Sequence, residues 1–244
     1  MAASGAAKKI VYVAFDIETT GQRLAAPARC PSVGKDEMFA IGWAASTGAR
    51  GQIALNLRKP ADTSWRDWWK ARGWEMRCYD EFWCHHEDKL DKLQDPKFLP
   101  VYETNTEMME ALASVLLVIE EGADEVIPLV DTAFFDAAWI TSKMMRAGFE
   151  SMLYRRDRKG MMWGRDVNSF LRGVYNVVPG EEGAAFGAIK RKLKARIPNW
   201  SPDDAHLPES DAVEILGLFV EAKKVSARRA AKAAARRSAK RQRV

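Results

Sequence analysis

The chain has 244 residues, 47% of them hydrophobic and 29% charged, which is typical of a folded protein with one sizeable domain. No apolar run approaches the roughly 18 residues of a transmembrane helix, the first residues lack the apolar stretch of a secretory signal, and three cysteines are too few for a disulfide framework. These observations argue against a secreted or membrane protein, and we expect an intracellular one, nuclear or cytoplasmic.

The net charge of +5 is concentrated in a basic tail, residues 223–244. This tail carries ten Lys or Arg and no acid, whereas the other 222 residues hold 28 basic and 33 acidic residues. An acidic body with a basic tail indicates a polyanionic partner. The tail is rich in alanine, so we predict a helix that has no apolar face to bury. It is expected to bind nucleic acid, to direct nuclear import or to dock on an acidic protein partner, and the sequence does not separate these roles.

The order of the predicted elements indicates an α/β fold. Strands are predicted at residues 10–15, 38–45, 52–57 and 126–130. Helices are predicted at residues 80–93, 104–121, 134–146 and 167–175, followed by a last helix that begins at Pro208 and continues into the tail. Pro128 places the fourth strand at a sheet edge or a strand end. Three strands followed by alternating helices and a strand indicate an antiparallel meander within a mixed sheet.

A Trp-rich insertion at residues 58–100 is predicted within the folded domain, which spans residues 9–222 after a flexible start at residues 1–8. Five of the nine tryptophans fall within residues 65–83. They could stack unpaired bases. We favour a hydrophobic cluster that packs the insertion onto the sheet, because tryptophan is usually buried.

Two acids, Asp16 and Glu18, lie at the end of the first predicted strand, where alternate side chains point to the same side of the sheet. A third acid, Asp136, lies one turn into the helix after the fourth strand. A fourth, Asp211, lies in the first turn of the last helix, five residues after His206. Each of these features has an ordinary explanation when taken alone. Asp16 and Glu18 could belong to a solvated strand end, Asp136 could be an acid favoured by the helix dipole, and His206 could be a surface histidine.

Taken together and in order, these residues resemble a known family. The motifs D-x-E-T-T at residues 16–20, F-D at 135–136 and H-x-x-x-x-D at 206–211 resemble the DEDD superfamily of 3′→5′ exonucleases, and the histidine spacing resembles its DEDDh branch. The resemblance implies that residues 9–222 are an exonuclease domain with a ribonuclease H-like fold, in which helices flank a five-stranded mixed sheet. The fifth strand has no firm place in the sequence, and residues 160–166 are a poor candidate for it.

The resemblance also implies roles for individual residues. The metal-binding and catalytic acids would be Asp16, Glu18, Asp136 and Asp211, and the general base would be His206. The chain departs from the family at Thr132, where an asparagine is common, so contacts made from that position are in question.

The donor set supports the same chemistry without the resemblance. Four carboxylates with no Cys-His cluster among them select Mg²⁺ or Mn²⁺ rather than zinc, and cations would relieve their mutual repulsion. Two such ions would bind the attacking and leaving oxygens of a phosphodiester, while His206 takes a proton from water. The donor set therefore predicts metal-dependent phosphodiester hydrolysis, and the resemblance implies that it releases nucleoside 5′-monophosphates from the 3′ end of DNA or RNA. The residues expected to touch the terminal nucleotide are Thr19, Thr20 and Gly21, with Leu24 or Phe135 against its base.

Two further clusters have both a functional and an ordinary interpretation. The cations Lys190, Arg191, Lys192, Lys194 and Arg196 are expected to follow the substrate phosphates beside the site, or else to form a solvated helix face. The group Cys78, Cys84, His85 and His86 matches no standard zinc spacing, so we expect reduced cysteines on a helix.

Two other functions remain open at this point. The chain could be a non-catalytic protein that uses a nuclease fold to bind nucleic acid or to act as a scaffold. It could also be an exoribonuclease dedicated to RNA processing, which would need a partner for the 2′-OH that no residue identifies. Nothing in the sequence indicates an oligomeric state.

Overall fold

The computed structural model describes residues 8–21, 36–149, 155–157, 160–162, 165–177, 184–198 and 200–241. The strands are β1 (Ile10–Thr19), β2 (Met38–Ala45), β3 (Arg50–Leu55), β4 (Val101–Tyr102), β5 (Glu125–Val130), β6 (Arg155–Asp157), β7 (Gly160–Met162) and β8 (Arg165–Asp166). The α-helices are α1 (Trp65–Arg72), α2 (Met76–Glu81), α3 (Glu87–Leu93), α4 (Asn105–Glu121), α5 (Ala138–Arg146), α6 (Val167–Tyr175), α7 (Ala184–Lys194) and α8 (Pro208–Arg241).

The main sheet has the strand order β4-β3-β2-β1-β5-β8. The first three strands form the expected antiparallel meander. Strand β5 runs parallel to β1, and β8 runs parallel to β5, so the carboxyl ends of these three strands meet at one edge of the sheet. Strand β4 pairs in parallel with β3, and β6 and β7 form a separate antiparallel pair. The predicted mixed sheet flanked by helices is confirmed.

The prediction of five strands is wrong, because the main sheet has six. Two strands of the main sheet, β4 and β8, were not predicted. Each is only two residues long, and a pair of residues shows no alternation of polar and apolar side chains. Strand β8 lies within residues 160–166, which sequence patterns made a poor candidate. Strand β8 pairs only with Leu129 and Val130 of β5. At Pro128, β5 therefore pairs with β1 on one side, and no strand among the described residues pairs with it on the other, which suits a residue without an N–H.

Strand β1 is longer than predicted, and this places the two acids of the first motif inside it. It pairs with β2 as far as Thr19, with Asp16 opposite Gly42 and Glu18 opposite Ala40. The end of the strand is therefore set by its pairing with β2 and not by the end of its apolar run.

The insertion is helical and its tryptophans belong to the main core. Ser64 caps α1 through a bond from the Asp67 N–H, and Gly73 ends the helix in the left-handed region at φ 68°. The helix predicted over residues 80–93 is interrupted, since a 3₁₀ turn at Trp83–His85 separates α2 from α3. The buried tryptophans are Trp65, Trp69, Trp74 and Trp83, and they pack in one cluster with residues of the sheet. Burial leaves these four rings no face on which bases could stack.

The start of α8 lies directly against the sheet beside the first motif. A Cβ built on Gly42 would come within 2.0 Å of the Pro208 carbonyl carbon, so only glycine permits this approach. Because Gly42 is the residue opposite Asp16, the contact brings the first turn of α8 next to that carboxylate. Helix α8 then continues for 34 residues without a break at residue 223. None of the helices in the described part of the chain is both long and apolar enough to cross a bilayer.

Candidate active site

The four acids of the sequence motifs come together at the carboxyl ends of β1 and β5. Asp16 and Glu18 are contributed by β1, Asp136 by a π-helical turn (Ala133–Ala137) after β5, and Asp211 by the first turn of α8. The carboxyl of Asp16 interacts electrostatically with each of the other three. Residues almost 200 positions apart in the chain therefore lie close together at this edge of the sheet.

Burial and like charge raise the pKa of these acids. Burial raises the pKa of Asp16 well above its ordinary value, and the nearby Glu18, Asp211 and Asp136 carboxylates raise it further. The pKa of Glu18 is raised well above its ordinary value by burial, then by Asp211 and Asp136. Such a group of carboxylates, with Glu18 and Asp136 buried and Asp16 and Asp211 half-buried, either keeps protons or requires cations to balance its charge.

Two of the acids also accept backbone hydrogen bonds, which partly offset the effect of burial. The pKa of Asp136 is raised to about 7, mainly by burial, while the Thr132 N–H, 3.0 Å from its Oδ2, lowers it. The pKa of Asp211 is likewise raised to about 7 by burial, and the His206 N–H, 2.9 Å from its Oδ2, lowers it. Both carboxylates are thus oriented by main-chain donors.

Thr132 contacts Asp136 through its backbone. It precedes the π-helical turn, makes no capping bond with its side chain, and both donates to the Asp136 carboxylate and accepts from the Asp136 N–H at 3.0 Å. Backbone groups of Thr132 therefore orient Asp136.

Two acids that sequence reasoning missed lie at the same edge of the sheet. Asp131 directly follows β5 and raises the pKa of Asp16, Asp136 and Asp211. Asp166 ends β8, raises the pKa of Asp136, and caps α6 by accepting from the Ser169 N–H at 2.7 Å. Asp131 could have been found, since it follows a predicted strand as Asp16 does. Asp166 had no such signal, because β8 was not predicted.

His206 is held close to the carboxylates by an unusual backbone conformation. Its φ of 65° lies in the left-handed region, which is uncommon for a residue other than glycine. One ligand atom from each of Glu18, His206 and Asp211 lies within 4.8 Å of the others. This separation suits either a proton acceptor beside the acids or a third ligand of a cation.

The imidazole of His206 is half-buried and surrounded by rings and cations. Its ring centroid lies 4.7 Å from that of Phe82 and 4.5 Å from that of His86. Burial lowers the pKa of His206, and electrostatic interactions with His86, Lys89 and Lys194 lower it further. The neutral imidazole, which is the form that accepts a proton, is therefore favoured at neutral pH.

A cavity of about 340 Å³ opens beside Glu18. Glu18, Thr19 and Phe135 line it together with insertion residues that include Phe82 and Cys78. Burial raises the pKa of the Cys78 thiol to about 12, so the group facing the cavity is a neutral thiol.

Thr20 and Gly21 follow β1 and are buried. Thr20 has no exposed surface, and its hydroxyl accepts from the Glu37 N–H at 2.7 Å. Gly21 packs on the carboxyl of Asp36, which would lie 2.5 Å from an added Cβ. The Glu37 carboxylate pairs in turn with the buried Lys143. Contact of Thr20 and Gly21 with the nucleotide stays a prediction.

The basic residues of α7 have two different environments. Lys190 pairs with Asp131 at 3.3 Å and Lys194 with Glu214 at 2.6 Å, so both lie at the border of the acidic site. Arg191 and Lys192 are exposed. Leu24, the other residue expected against the base, lies outside the described residues.

No family model and no curated protein matches the chain. Among solved structures it is similar to the zinc-ion-bound form of an E. coli ExoI–ssDNA complex, with 12% identity and a TM-score of 0.48 over 88% of this chain and 41% of that one. It is also similar to a product-bound exonuclease I, with 13% identity and a TM-score of 0.43 over 89% of this chain and 43% of that one. The chain spans less than half the length of these proteins. At such TM-scores the similarity determines neither the fold nor the activity of this chain.

Proposed function

We propose that the protein is a metal-dependent 3′→5′ exonuclease of the DEDDh type, which hydrolyses the terminal phosphodiester of DNA or RNA and releases nucleoside 5′-monophosphates. One observation carries the proposal. Four acids and a histidine from distant parts of the chain converge on one edge of the sheet, and ligand atoms of Glu18, His206 and Asp211 lie within 4.8 Å of one another.

The donor set fits hard divalent cations. Asp16, Glu18, Asp136 and Asp211 would hold two Mg²⁺ or Mn²⁺ ions, because carboxylate oxygens are the ligands that these ions prefer. Cations bound among the four acids would offset the burial and the like charge that raise their pKa values. When bound, the ions would stabilise the charge on the attacking and leaving oxygens of the phosphodiester.

In this proposal His206 is the general base. Its imidazole accepts a proton from the attacking water, which requires the neutral ring that its lowered pKa favours. The Asp211 carboxylate orients the residue by accepting from its backbone N–H. The backbone of His206 is thus fixed by the same residue that would bind a cation.

The substrate would enter at the cavity beside Glu18. Thr19 and Phe135 line this cavity, so we assign the terminal nucleoside to it. Lys190 and Lys194, which lie at the border of the acidic site, and the exposed Arg191 and Lys192 would contact phosphates of the remaining strand. Leu24 keeps its predicted role against the base.

The test is a digestion of matched DNA and RNA oligonucleotides, labelled at the 5′ end, with blunt and 3′-overhanging forms of each. With Mg²⁺ or Mn²⁺ we expect stepwise shortening from the 3′ end and nucleoside 5′-monophosphates among the products, and with chelator we expect neither. If the protein binds the oligonucleotides but shortens none of them with either Mg²⁺ or Mn²⁺, the result would instead support the non-catalytic scaffold. Shortening of RNA alone would support the exoribonuclease.

A further inference from the structure

The insertion contacts the His206 loop at two separate places. The rings of Phe82 and His86 both pack on the imidazole of His206, and the centroids of the three rings lie no more than 4.9 Å from one another. Seven residues after Phe82, the Lys89 ammonium donates to the carbonyl of Asp203, which lies in the same loop as His206. The insertion therefore contacts both the imidazole of His206 and the backbone segment that carries it.

The contact is anchored to the first motif. The indole of Trp83 is buried and donates to the carbonyl of Thr19 at 3.1 Å, and its ring packs edge-on against Phe82 at 4.8 Å. A continuous series of contacts thus runs from the end of β1, through Trp83 and Phe82, to His206. Any shift of the insertion relative to β1 would move the rings that hold the imidazole.

The side chain of His86 has no capping role that would account for its position. His86 precedes α3 at the capping position, but its side chain makes no capping hydrogen bond, and only its carbonyl bonds to the helix. Phe82 lines the cavity beside Glu18, whereas His86 is not part of that lining. His86 therefore meets His206 from outside the space assigned to the nucleoside.

We infer that the insertion positions the general base, with His86 as the positioning residue that sets the orientation of the His206 imidazole and Phe82 and Lys89 as its partners in this role. The inference rests on the proposed function. Packing restricts rotation of the ring before substrate arrives, and a misplacement of about 1 Å at a catalytic group can cost about 10²-fold in rate. His86 itself does not touch the substrate in this arrangement.

The test compares neighbouring histidines in the full-length protein. His86→Ala removes the ring that contacts His206, and His85→Ala makes the same change at the adjacent exposed histidine. We expect His86→Ala to lower kcat by about 10-fold or more with KM unchanged, and His85→Ala to leave both unchanged. His86→Phe keeps a flat ring without nitrogen atoms, and we expect it to restore most of kcat.

A second comparison tests whether the effect passes through His206. In the His206→Ala background there is no imidazole to orient, so adding His86→Ala should not lower the rate further. An equal reduction in both backgrounds would overturn the inference, as would equal rates for His86→Ala and His85→Ala. A His86→Phe variant as slow as His86→Ala would also overturn it, since packing would then not be the cause.

Folding and the proposed function are checked separately. If His86→Ala melts at a lower temperature than His85→Ala, the comparison moves to His86→Phe against His86→Leu, which both retain an apolar group, and only the planar ring is expected to restore kcat. If the wild-type protein shortens no oligonucleotide, the proposed function itself is wrong. An active wild type with no distinction between His85 and His86 would leave the function standing and refute the positioning role.

Discussion

Asp16 shows how a single carboxyl obtains its chemistry from its surroundings. Asp16 is half-buried in β1, and its pairing opposite Gly42 brings the first turn of α8, with Asp211, to its side. The same acid on a solvated strand end would have an ordinary pKa and no use for a cation. What the residue can do is therefore decided by which other acids reach it.

Replacing Asp16 or Asp136 by asparagine should abolish hydrolysis while the chain stays folded. Each substitution keeps the shape of the side chain and removes one negative charge from the site, so the protein should lose cation binding and not its core. Rates are measured on 5′-labelled oligonucleotides, with circular dichroism as the check on folding. Asp88→Asn, at an exposed acid of α3, is the matched control. Full activity in Asp16→Asn or Asp136→Asn would refute the site.

Replacing His206 by alanine should lower kcat by about 10²–10⁴-fold, the usual contribution of a general base. Binding of Mn²⁺, followed by calorimetry, should persist because the four acids remain. Rate and metal affinity that fell together would show that His206 acts as a ligand, which its distance of no more than 4.8 Å from the Glu18 and Asp211 oxygens also permits.

At the scale of elements, helix α8 joins two parts with different tasks. Its first turns carry Asp211 and pack on the sheet, and its second half is exposed and basic. Arg229 is the last of its side chains with a described contact to the body of the protein, through the Val174 carbonyl and the Tyr175 ring. Beyond it the helix extends away from the site, since residue 231 lies about 30 Å along the axis from Asp211.

Removing residues 231–244 should weaken nucleic-acid binding without changing kcat. The deletion removes six Lys or Arg that lie far from the reacting phosphodiester. Affinity for a single strand is measured against salt concentration with Asp16→Asn protein, and the slope should fall by roughly 0.7 for each phosphate that the tail no longer neutralises. A full-length variant with these six residues changed to glutamine distinguishes the effect of the lost charge from the effect of the shorter helix. An unchanged slope in both variants would exclude a phosphate-binding role for this part of the tail.

At the scale of the whole molecule, the cost of gathering the acids makes stability depend on pH and on cations. Asp136 and Asp211 have a pKa of about 7 in the folded protein against 3.8 as the ordinary value. Between these two values the folded state binds more protons than the unfolded state, so the free energy of unfolding falls as pH rises from about 4 towards 7. Cations bind the deprotonated acids and should offset this loss.

In chelator, the wild-type protein should therefore melt at a lower temperature at pH 7.5 than at pH 5.5, and Mg²⁺ or Mn²⁺ should raise the melting temperature more at pH 7.5. Each ~1 kcal/mol shifts the melting temperature of a chain of this size by about 2–4 °C. Asp136→Asn should show a smaller dependence on pH, whereas Asp88→Asn should behave as the wild type. A wild-type melting temperature that rises with pH in chelator would contradict the burial of these acids.

The motifs made the site predictable because its residues follow local rules. The i, i+2 spacing of Asp16 and Glu18 on a strand, and the five residues from His206 to Asp211 at a helix start, are visible in one short stretch each. Asp131 carried the same kind of signal. The buried tryptophans and the meander were also within reach, since burial of large rings and short connections between strands are general tendencies.

Local pattern could not supply the features that depend on contacts between distant segments. Strands β4 and β8 exist only because longer neighbours pair with them, and Asp166 joins the acids only through β8. The close approach of α8 to Gly42 and the packing of His86 on His206 join residues more than 100 positions apart. The amino-acid order thus specified which groups are candidates for the proposed chemistry, whereas packing decided the direction of their pKa shifts, their mutual placement and their contacts with the insertion.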